Sequence, residues 1–486
     1  MPQVGIEARK QPGEIFSAGK PTKLSVGAMA LFMRSVVWPA RLRGAMVLEP
    51  LREFARSART LSGYSLLTGL GLLLGLAREL AVASAFGLSP QLDVFVAVLT
   101  IQLFFGAQVG NALETAFISR VASEGKALIV YRSLWPAIYG LALVHVGIIG
   151  CLAVTGSFLL DTIFPSFDRG QLELASHTLY ALFLPIIFAS TAGLLRGALA
   201  VLGSFAPGFL AGSIVSCCTI VSVLLFASSL GIDALTLGVS IGNLGVLILF
   251  AGRLVVLKRD VVSATSPALS PSVNGSWFVL WGAATTVLIG ELVYAGMALT
   301  ERSLASRLPP GSIAAFFYAS TIVSVPLSLI VRPVTTMLFP RMVKTLKEDV
   351  RAGLGALRVP IVALVTASAL VVWLVSLLAE PIVETVFVRG RFSLDHAKLT
   401  ASILSITIFA LPFMSVGQLI RNACYSLSDY RSPIVGLAVQ WVMVIGLGTL
   451  LLPRYGVRGL ATALVSGEAA VLGLTGLLLM RHVPRS

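Results

Sequence analysis

Charged side chains are scarce in this chain. Asp, Glu, Lys and Arg together make up 12% of its 486 residues, whereas an ordinary soluble domain carries about a quarter. Hydrophobic residues make up 56%, and the mean hydropathy is +0.92. This composition excludes a soluble domain with a solvated surface. It predicts an all-α polytopic membrane protein, because helices satisfy their own backbone hydrogen bonds in hydrocarbon and the length leaves room for roughly a dozen spans.

Cysteine is also rare, and its spacing excludes a thiolate metal site. No C-x-x-C or Cys/His pattern occurs, and we predict inert thiols within apolar runs for the four cysteines: Cys151, Cys217, Cys218 and Cys424. The sequence also lacks a Walker or G-x-G-x-x-G pattern in the context that nucleotide binding needs. No loop is long enough to fold as a nucleotide-binding domain. We therefore predict no metal, no cofactor and no ATP binding by this chain.

Acidic residues are outnumbered by basic ones, 22 against 36, which gives a net charge of +14. Many of the Lys and Arg lie between the N-terminus and Arg59, and most of the others lie in short loops between apolar runs. A nucleic-acid-binding surface would instead need a basic face on a soluble domain. Basic loops alternate with loops almost free of Lys and Arg, which is how membrane proteins set their orientation. The pattern predicts a membrane protein with both termini in the cytoplasm and no nucleic-acid partner.

Twelve apolar segments define the predicted domains. A basic cytoplasmic tail covers residues 1–55, a first lobe of six segments covers 56–257, a polar linker covers 258–276, and a second lobe of six segments covers 277–482. The segments are 61–86, 93–118, 133–156, 177–199, 207–229, 233–256, 277–300, 313–338, 357–378, 399–420, 433–452 and 457–480.

The two lobes share weak internal repeats. Three pairs of stretches keep the same order and nearly the same offset along the chain: 192–208 with 416–433, which places Arg196 over Arg421; 231–238 with 456–463, at the same offset; and 115–120 with 336–341, at a slightly smaller one. We predict two pseudo-symmetric six-helix lobes related as parallel repeats. Transporters of this kind hold their substrate between the repeats near mid-membrane.

Several ionisable residues interrupt the apolar segments. A charge at the centre of a spanning helix costs about 2.5–3.5 kcal/mol on insertion scales, so it normally faces a cavity or a partner. Arg78 and Glu79 are adjacent, and neighbours at i,i+1 do not face each other on a helix. We therefore predict that they do not simply neutralise each other. Arg332 lies deep in its segment, and Pro333 after it is expected to kink the helix.

The repeat suggests which of these residues meet. The offset between 115–120 and 336–341 aligns Arg332 with Asn111 and Thr335 with Glu114, which would allow an Arg332–Glu114 contact across the cleft between the lobes. Such a contact is open to two interpretations, a structural ion pair that locks the lobes or a cavity lining that binds an anionic substrate. Arg196 and Arg421 are predicted to anchor lipid headgroups at the cytoplasmic ends of their segments. We predict no catalytic residue, and the predicted substrate-binding residues are Arg78, Asp93, Arg332, Glu114, Arg302 and Asn111.

Three stretches resemble one family. "LGLARELAVASAFGLSPQLDVFVAV" (74–98) resembles the first two helices of the MurJ/MviN group of lipid-linked glycan flippases, in the MATE-like MOP exporter superfamily. "LTERSLASRLPPGSIAAFFYAS" (299–320) and "VPLSLIVRPVTTMLFPRM" (325–342) resemble its seventh and eighth helices. The resemblance implies two lobes around a cationic cavity that opens alternately to each side. It also implies transport of an undecaprenyl-pyrophosphate-linked saccharide, such as a lipid II-like peptidoglycan precursor, across the cytoplasmic membrane.

The resemblance carries over to the site residues only in part. Arg78 and Asp93 stand where the family has an arginine and an aspartate. Leu72, Gly106 and Thr321 stand where it has basic residues, and Arg332 and Arg302 are expected to replace part of that charge. These departures keep a flippase for a capsule or exopolysaccharide repeat unit as a rival interpretation.

Two other functions fit less well. A MATE-like cation-coupled exporter of small organic cations would need an excess of buried carboxylates, whereas Arg78 and Arg332 favour an anionic ligand. A membrane glycosyltransferase generally needs a large outer loop with catalytic carboxylates, and the longest predicted outer loops, 157–176 and 379–398, are short. We therefore predict a transporter and not an enzyme. Its predicted partners are the lipid-linked glycan, membrane lipids, and proteins of cell-wall or polysaccharide synthesis.

Overall fold

The structure, a computed structural model, describes residues 48–121, 127–264, 277–427, 429 and 431–482. Within these ranges the regular elements are helices. The predicted tail, 1–55, lies outside the described residues up to residue 47, and so does the linker from residue 265 onward. The helices are α1 (Leu48–Phe86), α2 (Pro90–Gln102), α3 (Gln108–Val121), α4 (Ala127–Ile163), α5 (Arg169–Ala181), α6 (Phe183–Val201), α7 (Ala206–Leu230), α8 (Asp233–Ala264), α9 (Trp277–Ala305), α10 (Ser312–Pro326), α11 (Arg332–Glu348), α12 (Val350–Ala356), α13 (Arg358–Phe387), α14 (Leu394–Thr407), α15 (Ala410–Ser426) and α16 (Arg431–Met480).

The helices account for the predicted membrane segments. Ten helices in the described residues are long and apolar enough to cross a membrane, and the pair α14–α15, bent by 45°, makes eleven if it is counted as one span. The longest helix, α16, is longer than one crossing needs, and it leaves helical geometry at Gly456 (φ 54°, ψ −132°). This break divides it into 431–455 and 457–480. Counting the two parts separately gives the twelve predicted segments.

Irregular positions recur at the offset that the repeat predicts. Gly231, after α7, has φ 57° and ψ −131°, nearly the geometry of its repeat partner Gly456. Asp168 and Ser393, which are separated by the same offset, each begin a helix with a capping box. A π-helical turn joins α2 to α3 (Leu103–Ala107), and another joins α10 to α11 (Leu327–Val331) at almost the same offset. The predicted pseudo-symmetry between the first half, before the linker, and the second half, from Trp277 on, is therefore confirmed.

The two halves share a core. The described residues from Leu66 onward form one compact unit. Helix α9 packs along α3, and helix α2 packs against α10. The largest cluster of buried apolar side chains draws on both halves, including Leu92 and Phe95 of α2, Phe316 and Tyr318 of α10, and Phe387 of α13. The Tyr318 ring packs against that of Phe387, with centroids 5.0 Å apart and the ring planes inclined by 44°. This apolar core surrounds the charged residues near the end of α1, at the beginning of α2 and at the end of α9.

Candidate functional site

Arg78 and Glu79 pair with each other, so the prediction that these neighbours do not neutralise one another is wrong. Arg78 Nε donates a hydrogen bond of 3.0 Å to Glu79 Oε1, and Nη2 donates to the same oxygen. The two Cβ atoms diverge, but the arginine side chain is long enough to curve around the helix. Glu79 is 3% exposed, whereas the Arg78 side chain keeps 32% of its surface. Glu79 therefore holds the guanidinium in place while part of it stays accessible.

The pair lines a cavity of about 40 Å³ between α1, α2, α7, α8 and α10. Its walls are mainly apolar, and Thr219 and Tyr318 also contribute to them. The Tyr318 side chain is 1% exposed, and its hydroxyl has no hydrogen-bond partner among the residues that the structure describes. Buried polar groups are normally satisfied, so this hydroxyl marks a place for water or a polar ligand atom. The volume holds only a few waters.

Asp93 joins the two halves. Its side chain is buried at the beginning of α2, and its carboxylate accepts hydrogen bonds from the backbone N–H groups of Gly311 (2.5 Å) and Ala314 (2.7 Å) at the beginning of α10. The first N–H groups of a helix have no intrahelical acceptor, and the helix dipole favours an anion there. Gly311, at the N-cap, has no side chain to fill that role. Asp93 is thus the cap of a helix in the other half.

Arg302 is also deeply buried, with 5% of its surface exposed at the end of α9. It pairs with its neighbour Glu301, and its guanidinium carbon lies 5.7 Å from the ring centroid of Phe317, a residue that lines the cavity beside Arg78. Its Nε has no acceptor among the described residues. Arg302 acts electrostatically on Asp93. The structure therefore brings Arg78, Asp93 and Arg302 together around the first turns of α10.

Close backbone contacts also join the two halves near the Asp93 cap. Arg391 N–H donates a hydrogen bond of 2.8 Å to the Ser84 carbonyl at the end of α1. Gly390 (φ +57°) and Gly311 (φ +90°) adopt left-handed geometry, which glycine tolerates best. A Cβ at Gly390 would collide with the Ser84 carbonyl, and one at Gly311 would lie 2.8 Å from the Leu88 carbonyl. We call these contacts, together with the Asp93 cap, the closed end.

Glu114 belongs to a separate cluster. Arg196 Nε, on α6, donates a hydrogen bond of 2.7 Å to Glu114 Oε2, and Arg196 Nη2 donates one of 3.0 Å to Asn111 Oδ1. Glu291 of α9 lies within side-chain hydrogen-bonding reach of Asn111. The sequence interpretation had assigned Arg196 to headgroup anchoring and missed this pairing. A signal was available, because Asn111 and Glu114, at i,i+3, share one face of α3 that needs a cation.

Arg332 does not reach Glu114. It begins α11 directly after the second π-helical turn, its side chain is exposed, and it makes no hydrogen bond or ion pair with the described residues. A kink is predicted at Pro333; the irregularity that the structure has is the π-helical turn just before it, and Pro333 lies in the first turn of α11. When the two repeats are aligned on their π-helical turns, Arg332 is equivalent to Gln108, which lies about one helical turn before Asn111. The Arg332–Glu114 contact that the sequence suggested is therefore absent from the described residues, where Glu114 pairs with Arg196.

Gly106 and Thr321 stand at two of the positions where the family pattern has basic residues. A Cβ at Gly106 would lie 3.1 Å from the Ile186 Cα, so α6 occupies the space that a long side chain would need. The Thr321 hydroxyl donates to the Phe317 carbonyl of its own helix at 3.0 Å. Neither position adds a positive charge to the cavity.

Comparison with known proteins gives a consistent result. A family model described as "Lipid II flippase MurJ" matches residues 82–484. A protein of Bdellovibrio bacteriovorus named "Probable lipid II flippase MurJ" is 28% identical over 428 residues, covering 84% of this chain and 78% of that protein. A namesake from Aquifex aeolicus is 24% identical over 84% of this chain and 81% of its own length. Among solved structures, "Lipid II flippase MurJ, inward closed conformation" superposes with a TM-score of 0.71 at 19% identity, covering 87% of this chain and 88% of that one. An inward-facing MATE family transporter of the MOP superfamily superposes with a TM-score of 0.67 at 17% identity, covering 85% and 94%.

Proposed function

Because the chain belongs to the lipid II flippase MurJ family, we propose that it moves a lipid II-like, undecaprenyl-pyrophosphate-linked saccharide from the cytoplasmic to the outer leaflet. The family is one of transporters, and the chain is a multi-pass protein of the inner membrane. In this proposal the polyprenyl tail stays in the lipid while the charged headgroup passes between the two halves. Both termini lie in the cytoplasm, as the loop charges predict.

The observation that carries the proposal is the Arg78–Glu79 pair on the cavity wall. Glu79 takes up Nε and Nη2 of Arg78, which leaves Nη1 for an anion. A guanidinium held in a fixed orientation binds phosphate oxygens with directed, charge-assisted hydrogen bonds. The orphaned Tyr318 hydroxyl on the same wall is a further donor. Arg302 and Arg332 supply additional positive charge along the route, while Asn111 and Glu114 line it nearer the cytoplasmic end.

The closed end supplies the gate for alternating access. The loop after α1 carries no Lys or Arg, which predicts that it faces the outside. The alternation of the predicted segments places the loop between α13 and α14 on the same side, although that loop carries Arg389 and Arg391. The closed end joins these loops, so it separates the cavity from the outer side. Opening must break the Asp93 hydrogen bonds and the backbone contact between Ser84 and Arg391. A headgroup that binds both states allows the halves to rock between them.

The test is to deplete the protein in its own cells and to identify the undecaprenyl-linked intermediate that accumulates. Lipid II is expected, and complementation with Arg78→Ala should leave it accumulated although the variant reaches the membrane. Arg307→Ala, at an exposed arginine just after α9, should clear it and serves as the matched control. Normal lipid II turnover after depletion would overturn the proposal.

A flippase for a capsule or exopolysaccharide repeat unit is the second candidate. The observation that favours it is the packing of Gly106 against α6, which excludes a cation that the family pattern places there and so changes the charge available to the headgroup. The same depletion experiment distinguishes the two functions. Accumulation of a polysaccharide repeat unit on its lipid carrier, with normal lipid II, would support this candidate instead.

A further inference from the structure

A second pocket, of about 570 Å³, lies far along the chain from the cavity at Arg78. Its described lining residues come from both ends of α16: Leu427, Asp429, Arg431 and Ser432 at the turn before it, and Leu478, Arg481 and His482 at its far end. The break at Gly456 brings these two ends together on one side of the bundle. The volume falls within the range of small-ligand sites. Nothing in the proposed flippase function uses this pocket.

The charges of the pocket favour an anion. Asp429 contributes a carboxylate, but its oxygens are already occupied. Oδ1 accepts from the backbone N–H groups of Arg431 (3.1 Å) and Ser432 (3.0 Å), and Oδ2 accepts from the Ser432 hydroxyl (2.5 Å) and lies 3.7 Å from His482 Nε2. Partial burial alone would raise the pKa of Asp429, but the hydrogen bonds from Ser432 and Arg431 lower it, so the group stays a charged helix cap at neutral pH.

The guanidinium groups of Arg431 and Arg481, unlike the Asp429 carboxylate, are not engaged by described residues. Arg431 and Arg481 are exposed, and neither side chain donates a hydrogen bond to a residue that the structure describes. With the Asp429 carboxylate engaged, the pocket keeps an excess of positive charge. A guanidinium binds phosphate oxygens with paired donors. The chemistry of the open donors therefore fits a phosphate group.

The position of the pocket indicates where that phosphate comes from. Arg431 and Met480 are the two ends of a membrane-spanning hairpin, so residues just beyond them lie at the bilayer surface. Leu427 and Leu478 give the pocket an apolar side next to its cationic side, which suits an amphipathic ligand better than a free anion. The loop charges place this end in the cytoplasmic leaflet, where anionic lipids attract basic pockets between helices.

We propose that the pocket between the two ends of α16 binds the phosphate headgroup of an anionic membrane phospholipid. Arg431 and Arg481 contact the phosphate oxygens, and Leu427 and Leu478 contact the beginning of the acyl chains. The bound lipid bridges the turn before α16 to its C-terminal end, and so links the eleventh and twelfth segments at the membrane surface. The site is independent of the substrate route proposed above.

The experiment uses the purified full-length protein in detergent, titrated with phosphatidylglycerol or with phosphatidylcholine, and measures bound lipid by native mass spectrometry. Phosphatidylglycerol should bind in preference to phosphatidylcholine, and the double variant Arg431→Gln, Arg481→Gln should weaken phosphatidylglycerol binding by about tenfold. The matched control is Arg454→Gln, Arg458→Gln, which removes two exposed arginines at the opposite, Gly456 end of the same hairpin. The control should bind as the unaltered protein does.

Three results would overturn the proposal. One is equal binding of the two lipids, another is equal loss of binding in both double variants, and the third is displacement of phosphatidylglycerol by millimolar inorganic phosphate, which would identify a free-phosphate site instead. Melting temperatures measured without added lipid show whether the double variant is folded. If it is not, the single variants Arg431→Gln and Arg481→Gln replace it, and each should weaken binding by several-fold, with unchanged binding in both counting against the site.

Discussion

Asp93 accepts a hydrogen bond of 2.5 Å from the backbone N–H of Gly311, which lies in the other half of the chain. The helix that begins there has no side-chain cap of its own, so a carboxylate from the first half completes a helix of the second. The stability of the first turn of α10 is thereby linked to closure of this end. Opening of the closed end breaks these hydrogen bonds, so that α10 loses its cap and the Asp93 carboxylate loses its donors. This loss is the physical basis of the first prediction.

Asp93→Asn should loosen the closed end. An amide oxygen can still accept from one N–H group, but the charge that favours the helix N-terminus is lost, and capping substitutions typically cost about 1 kcal/mol. The measurement is the rate at which a membrane-impermeant maleimide labels Leu88→Cys in a background without the four natural cysteines. Leu88 is 6% exposed, so slow labelling should become several-fold faster. Asp395→Asn, an exposed carboxylate in the first turn of α14, is the control and should change nothing; equal rates in the two variants would contradict the capping role.

Gly390→Ala should destabilise the protein more than Gly231→Ala. Both glycines have φ +57°, a backbone conformation that L side chains rarely adopt, so both substitutions are strained. Only the Cβ at Gly390 meets the Ser84 carbonyl, whereas the one at Gly231 meets nothing within 4 Å. The melting temperature in detergent should therefore fall further for Gly390→Ala, and the same variant should transport less because the outer loops no longer close. Equal melting temperatures for the two variants would show that the loop before α14 can move to accommodate the added Cβ, and would contradict the close contact with Ser84.

The sequence predicted the parts of this fold that depend on hydropathy and on repetition. Spanning helices must match the bilayer, so apolar length located them, and the constant offset between the repeats anticipated the matched geometry of Gly231 and Gly456. Partners of buried charges were harder to predict, because they depend on how each helix is rotated and on how far a side chain curves. Arg78 reaches its neighbour Glu79, and Arg196 takes the partner expected for Arg332. A π-helical turn also shifts the register by part of a turn, which no hydropathy pattern records.

The Glu114–Arg196 pair should behave as a coupled unit. Glu114→Gln leaves the partly buried guanidinium with Asn111 alone, and Arg196→Gln leaves the carboxylate without its cation. Each single substitution should lower the melting temperature. The double substitution should cost less than the sum of the two, with a coupling of about 1–2 kcal/mol, because contacting residues are not additive. Strict additivity would mean that the pair contributes nothing beyond its separate side chains.

Substitution of Arg332 should affect transport alone, whereas substitution of Arg302 should affect stability. Arg332 is exposed and without a described partner, so Arg332→Gln should leave the melting temperature unchanged. It should lower transport if this charge lies on the substrate route, as we propose. Arg302 is buried, pairs with Glu301 and lies over Phe317, so Arg302→Gln leaves the largely buried Glu301 carboxylate, whose side chain is 14% exposed, without its cation. Breaking a buried pair in this way costs about 3–5 kcal/mol, and the melting temperature should fall by several degrees. Both quantities are measured on the same reconstituted preparations, with Arg307→Gln as the exposed control. If Arg332→Gln transports normally, the charge at the beginning of α11 has no part in moving the headgroup, and the positive side of the route rests on Arg78 and Arg302.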